Sequence, residues 1–293
     1  MIDYSKFVEN SRKWLSQYIR DNHLQSLVCG VSGGVDSCVS LALAQPVCQE
    51  LNISLIGRSL PTTTNKPDEN NTANLVGNAF CTDFKGVNIS EECQKLIYEL
   101  ELNEGKMSRL QEGNIKARVR MIYLRHLASL HKGVVLDNDN FTEWNLGFWT
   151  VGGDSPCDVN LGLHYLWKTE IYELARYLMI YCCKNENQIE AIKYSINLTP
   201  TDGNGVSNSD CEQFGLDNYE QVDDVLKTMY YNDKFFEQWA ENKQIFKGPH
   251  PEYIRLIDSY NEQGVDKVML LHQNTAYKRK ELPIKPTKEE LGL

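Results

Sequence analysis

Residues 27–37 read Leu-Val-Cys-Gly-Val-Ser-Gly-Gly-Val-Asp-Ser, and they leave the chain little choice of local structure. The apolar run Leu27–Val31 predicts a buried strand. Ser32-Gly33-Gly34 predicts a tight turn, and the small residues Cys38, Val39, Leu41, Ala42, Leu43 and Ala44 predict a helix. A strand, a glycine turn and a helix start in this order aim backbone N–H groups, a helix dipole and the hydroxyls of Ser32 and Ser37 at one spot, which suits a phosphate. The Walker form is excluded, because no Gly-Lys-Ser/Thr closes the turn. Asp36 stands there instead. A carboxylate beside bound phosphate needs a cation between them, so Mg²⁺ is implied. The plainer reading is a glycine turn closing a βα unit; two serines and an aspartate at these spacings count against it.

The same alternation continues downstream. Aromatic and aliphatic residues at helical spacing predict an amphipathic helix over 3–20, and further helices are expected at 37–50, 68–80, 90–101, 112–130, 168–183 and again from 218 onward. Strands are expected at 27–31, 53–60 and 133–136, with 84–89 extended. Strands alternating with helices predict an α/β fold, a parallel twisted sheet with helices on both faces. Ligands of such sheets bind at the carboxyl ends of the strands, where the turns after 27–31 and 133–136 both lie. Residues 199–217 are polar and glycine-rich, either a mobile lid over 199–215 or a surface loop. No repeat or low-complexity tract interrupts the chain, and 1–293 is expected to form a single domain.

Charge and cysteine usage narrow the partners. A net charge of −10 argues against a nucleic-acid partner, which normally meets a basic face. No stretch approaches the ~20 apolar residues of a membrane span, and the N-terminus lacks the pattern of a signal peptide. The nine cysteines are scattered without a C-x-x-C pair, which predicts reduced thiols in a cytoplasmic protein.

Two further segments carry chemistry. Gly113-Asn114-Ile115-Lys116-Ala117-Arg118-Val119-Arg120-Met121 gathers three cations within five residues, either a solvated basic face or a site for phosphate or carboxylate. Residues 142–158, Thr-Glu-Trp-Asn-Leu-Gly-Phe-Trp-Thr-Val-Gly-Gly-Asp-Ser-Pro-Cys-Asp, hold three carboxylates just past an apolar strand. Glu143 completes a Mg²⁺ site with Asp36, since Mg²⁺ takes a couple of protein carboxylates and finishes with phosphate and water. Carboxylates beside glycine also serve as caps and turns, the competing reading.

These islands together resemble the ATP pyrophosphatases, and within them the ammonia-dependent NAD synthetases. Ser32-Gly33-Gly34-Val35-Asp36-Ser37 is similar to their SGGxDS loop, and GNIKARVRM to their second motif. Glu143, Gly147, Phe148, Thr150, Asp154 and Asp158 match their acidic segment without a gap. Lys168 resembles their phosphate lysine, Thr201 the threonine of their flexible loop, and Lys278-Arg279 their C-terminal pair. The likeness runs from about residue 25 to about 283. Asp137-Asn138-Asp139-Asn140 departs from it where Gly-Thr is usual. So does Val151, which replaces a lysine, and Thr62, which replaces a tyrosine.

The resemblance implies a Rossmann-like fold of the adenine nucleotide α-hydrolase type. It implies ATP held by Ser32, Gly33, Gly34, Asp36, Ser37, Lys168 and Thr201, and Mg²⁺ on Asp36 and Glu143. Deamido-NAD falls to Asn114, Arg118, Asp154 and Asp158, and catalysis to Asp36, Asp154 and Lys168, with Asp154 or Asp158 orienting ammonium. The implied reaction is ATP-dependent amidation of deamido-NAD by free ammonia, because the chain begins about two dozen residues before the loop and leaves no room for an amidase domain, and the resemblance implies a homodimer. Two rivals remain: another enzyme of this ATP-splitting type, acting on tRNA or GMP precursors, and a nucleotide-binding regulator without turnover.

Overall fold

The computed structural model describes residues 2–203, 205–242, 250–280 and 285–293. The chain opens with α1 (Tyr4–Asp21) and alternates through β1 (Ser26–Gly30), α2 (Val35–Leu51), β2 (Ser54–Ser59), α3 (Pro67–Phe80) and β3 (Asp83–Gly86). Then come α4 (Ser90–Glu104), α5 (Arg109–Leu130), β4 (Gly133–Asp137), α6 (Phe141–Leu146) and β5 (Val159–Asn160). The remainder is helical: α7 (Lys168–Tyr181), α8 (Glu186–Asn197), α9 (Asp210–Phe214), α10 (Tyr219–Tyr231), α11 (Asp233–Asn242), α12 (Pro251–Ser259), α13 (Glu262–Asn274) and α14 (Lys288–Leu291).

The five strands form one parallel sheet in the order β3-β2-β1-β4-β5. A parallel strand is covered on both faces, so β1 reads as a continuous apolar run, and its side chains alternate between two cores. Leu27 and Cys29 pack with residues of α1, α2, α3, α7 and α8, whereas Val28 packs with residues of α4 and α5. Each fully buried side chain of this kind contributes about 1.5–3 kcal/mol. A third core, around Phe214, Phe235 and Met269, joins α6 to α9–α13.

The chain order runs outward from β1 through β2 to β3, then returns to place β4 on the other side of β1. The switch point therefore lies between β1 and β4, and the loops after Gly30 and Asp137 flank it. The expected elements are present with ends displaced by a few residues, while α6, β5, α8 and α9 are additional. β5 has only two residues and α6 only six, too short to leave a periodic pattern.

Candidate active site

The loop after β1 has the geometry that suits an anion. Gly33 sits at φ 89°, and a Cβ there would meet Ala73 N and Glu69 O at 2.8 Å. Only glycine allows both this backbone and this approach of α3. The Cα of Gly33, one of the residues expected to bind ATP, packs against α3. Ser32 Oγ lies 3.1 Å from Ser37 Oγ and accepts from Gly34 N, and Ser37 Oγ donates to Gly34 O. No side chain caps the start of α2, so no cap side chain occupies its first-turn amides.

A cavity of about 890 Å³ opens in front of this loop. Ser32, Gly34, Asp36 and Ser37 line it from one side; Asn114, Arg118, Thr150 and Asp154 from another; Glu143, Lys168, Thr201 and Lys278 complete it. Its centre is a three-residue ion cluster. Lys168 Nζ lies 2.5 Å from Asp36 Oδ2 and 2.9 Å from Glu143 Oε1, with side chains only 4 %, 15 % and 14 % exposed. Burial works against the Lys168 charge, but the two carboxylates outweigh it and hold its pKa well above the usual lysine value. One ammonium cannot neutralise two carboxylates: burial, then the nearby Asp36 charge, push Glu143 up to about 7 against the pull of Lys168.

Local sequence explains how these groups are aimed. Asn140-x-x-Glu143 is a capping box: Asn140 Oδ1 accepts from Glu143 N at 3.0 Å, and Glu143 Oε2 accepts from Asn140 N at 3.3 Å. The Asn140 amide then donates to Asp36 Oδ1 at 2.8 Å, joining α6 to the β1 loop. Lys168 stands at the first turn of α7, and its backbone N–H donates to Thr142 Oγ1 at 2.8 Å. Asp223 of α10 accepts from both Thr142 Oγ1 and Thr169 N, at 2.5 and 2.9 Å, bracing α6 against α7. Sequence reading missed Asn140 and Asp223 as site residues. The N-x-x-E capping signature marked the first; for Asp223 no local signal exists, because its partners lie on other elements.

At the other end, Thr150 Oγ1 donates to Asn114 Oδ1 at 2.8 Å and Thr150 N to Asp154 Oδ1 at 2.7 Å. Asp154 presents its side chain to the cavity, and desolvation by the surrounding protein raises its carboxyl above the usual range against the pull of the Thr150 amide. Arg118 Nε donates to Val151 O at 3.2 Å, so a guanidinium lies beside the residue that stands where the resemblance leads one to expect a lysine. Lys278 adds a cation, donating to the Gly147 and Trp149 carbonyls.

Asp158 differs from expectation. It is not part of the cavity wall: Oδ1 pairs with Arg125 at 2.6 Å and Oδ2 accepts from Val135 N at 2.8 Å. A carboxylate just ahead of the edge strand β5 is consumed by the backbone of the adjacent strand β4 and by the neighbouring helix α5. Thr201 reaches the cavity, with its hydroxyl on Glu69 Oε1 at 2.6 Å. Its loop also bonds Thr64 through Gly203 O and Lys66 through Asn208 O.

Comparison with known proteins matches residues 7–282 to the family model described as NAD synthase. An NH(3)-dependent NAD(+) synthetase of Thermoplasma volcanium is 30 % identical over 230 residues, 78 % of this chain and 86 % of the relative. One of Finegoldia magna is 31 % identical over 225 residues, 77 % and 85 % of the two chains. Among solved structures, the NMN synthetase of Francisella tularensis superposes with a TM-score of 0.71 at 20 % identity, covering 98 % of this chain and 100 % of that one. That last likeness concerns the fold.

Proposed function

Because the chain belongs to the NAD synthase family, we propose that this cavity is where it makes NAD, with one end for phosphate chemistry and the other for amidation. The activity is ATP-dependent amidation of deamido-NAD with ammonia, releasing AMP and pyrophosphate; the chain is a carbon–nitrogen ligase. The observation that carries the division of the site is the Asp36–Lys168–Glu143 cluster beside the uncapped start of α2.

The nicotinate carboxylate is inert to ammonia until its oxygen becomes a good leaving group. Its attack on the α-phosphorus of ATP expels pyrophosphate and leaves an acyl-adenylate; ammonia then attacks the carbonyl carbon and expels AMP. Ser32, Ser37, the Gly34 amide, Lys168 and Thr201 bind the polyphosphate. The β1 loop donors are held in place before the substrate arrives, so charge building on the leaving pyrophosphate meets oriented N–H and O–H groups, while Lys168 and Thr201 exchange their carboxylate partners for phosphate. Asp36 and Glu143 offer hard oxygen donors already drawn onto one cation, and this set fits Mg²⁺. When bound there, Mg²⁺ neutralises polyphosphate charge. Lys168 moves from the carboxylates to the phosphates as ATP enters, keeping its charge throughout. Asn114, Arg118 and Asp154 hold the nicotinate end, and Asp154 orients ammonium and takes its proton.

The 199–215 segment serves as the lid, with Glu69 holding Thr201 until phosphate replaces it. We place the enzyme in the cytoplasm, in keeping with nine unpaired cysteines, and as a homodimer, in keeping with the exposed Leu110, Ile122 and Leu130 of α5 and Tyr98 and Leu102 of α4. The test is incubation with ATP, Mg²⁺, ammonium and deamido-NAD, reading NAD and AMP together. Equal amounts of both support the reading, and AMP without NAD, or neither product, refutes it. A parallel arm with nicotinate mononucleotide checks the size of the substrate: turnover there alone would overturn the dinucleotide assignment.

A further inference from the structure

Asp137 closes β4 at the switch point, with no exposed surface. Its two carboxylate oxygens accept five hydrogen bonds. Oδ1 takes Asp139 N at 3.1 Å, Asn160 Nδ2 at 3.0 Å and His164 Nε2 at 3.1 Å. Oδ2 takes Ser155 Oγ at 3.0 Å and Cys157 N at 2.8 Å.

These donors lie on three different segments, and each segment carries a residue of the cavity. Asp139 leads into the Asn140 cap that aims Glu143. Ser155 and Cys157 immediately follow Asp154. Asn160 Oδ1 accepts from Gly162 N and His164 N, shaping the turn that delivers Lys168. The His164 ring lies 5.2 Å from Trp144, which stacks at 5.7 Å on Trp149 in the cavity wall. One carboxylate therefore ties together the segments that present Glu143, Asp154 and Lys168.

Resting on the NAD-forming reaction proposed above, the geometry points to Asp137 as a positioning residue that keeps the adenylation end and the ammonia end of the cavity in register. It touches no substrate. Burial alone would raise its carboxyl; His164 and the amide donors outweigh that and hold it ionised, below the usual range. Asp137, Asp139 and His164 are close enough together to suggest a metal centre. Five donors already occupy the Asp137 oxygens, however, so the cluster is a hydrogen-bond junction.

The consequence is chemical. An acyl-adenylate formed at one end must present its carbonyl carbon to ammonia at the other. If the ends slip apart, water competes: its oxygen bonds to the carbonyl carbon, the C–O bond to AMP breaks, AMP leaves with the electron pair, and a proton goes to solvent. The products are free carboxylate and AMP without NAD. A misplacement of ~1 Å can cost about 10²-fold in a positioned reaction, so the ratio of AMP to NAD is a sensitive readout.

In Asp137→Asn an NH₂ group faces donors that need an acceptor. The expected result is a rise in AMP per NAD from one to about three or more at subsaturating ammonium, falling back as ammonium saturates. Partial unfolding lowers both products together and leaves the ratio at one; that outcome overturns the proposal. Should Asp137→Asn not fold, Ser155→Ala removes a single donor and is read the same way, and an unchanged ratio there is equally fatal. Wild-type protein that forms no AMP from deamido-NAD would instead overturn the parent reading, so the two failures are distinguishable.

Discussion

Replacing Lys168 by methionine probes the centre of the site, and its effect can be worked from the ion cluster. The ammonium sits 2.5 and 2.9 Å from two carboxylates in surroundings almost closed to solvent. Removing one partner of a buried pair costs about 3–5 kcal/mol, because the charge left behind is uncompensated. The remaining carboxylates escape part of that cost by taking up a proton. Glu143 stands at about 7 even with Lys168 beside it, and loses a stabilising charge without it, so its carboxyl rises further. A carboxyl raised in the folded state binds more protons than in the unfolded chain, and stability falls as pH rises through that window. In wild type the window ends near 7; in Lys168→Met it extends beyond. At pH 6 both proteins are largely protonated at Glu143, and the penalty is confined to the Asp36 carboxylate that has lost its ammonium. Between pH 7 and pH 8.5 the variant goes on losing stability, by at most about 2 kcal/mol at 1.36 kcal/mol per unit. Urea unfolding of both proteins at pH 6 and 8.5 measures this. Adding Glu143→Gln to the variant deletes one of the two charges and is expected to restore about 2 kcal/mol at pH 8.5. A penalty that does not change with pH, or no recovery in the double variant, would refute the reasoning.

Other expectations follow from single contacts. His272 is pushed down to about 4, first by burial and then by Arg279, so it is neutral in the fold; stability is whole above the unfolded value near 6.5 and drains by up to ~3 kcal/mol as pH falls toward 4, and His272→Gln should flatten thermal unfolding over that range. Asp223→Ala leaves Thr142 Oγ1 and Thr169 N without their acceptor and should cost about 2–4 kcal/mol in chemical denaturation, with Asp223→Asn losing less. Glu69→Gln weakens the hold on Thr201 and should speed proteolytic nicking of the 199–209 loop in the absence of ATP by severalfold, a difference that saturating ATP removes. Pairing two of the α5 faces should give a sedimentation coefficient of a dimer, which Ile122→Lys, placing a charge on a side chain 66 % exposed in the single chain, should shift toward monomer.

Some of this protein was written locally. The Leu27–Ala44 segment specifies its strand, turn and helix by composition alone, because an apolar run, the Gly33-Gly34 pair and small residues each permit few conformations there. The alternation of strands and helices likewise specified a parallel sheet, since parallel strands need crossovers. The short elements α6 and β5 were not legible, having too few residues to carry a period. Tertiary structure alone decided which residues meet. Lys168 reaches Asp36 across 132 positions and Glu143 across 25, because the strand order sets β4 directly beside β1. The same placement turned two similar aspartates to opposite uses, leaving Asp154 open to the cavity while Asp158 ties Arg125 to the backbone of β4. It also filled the irregular run at 137–140 with purpose, since every donor to Asp137 apart from the nearby Asp139 N comes from residues 155–164, which only the folded sheet brings beside the end of β4.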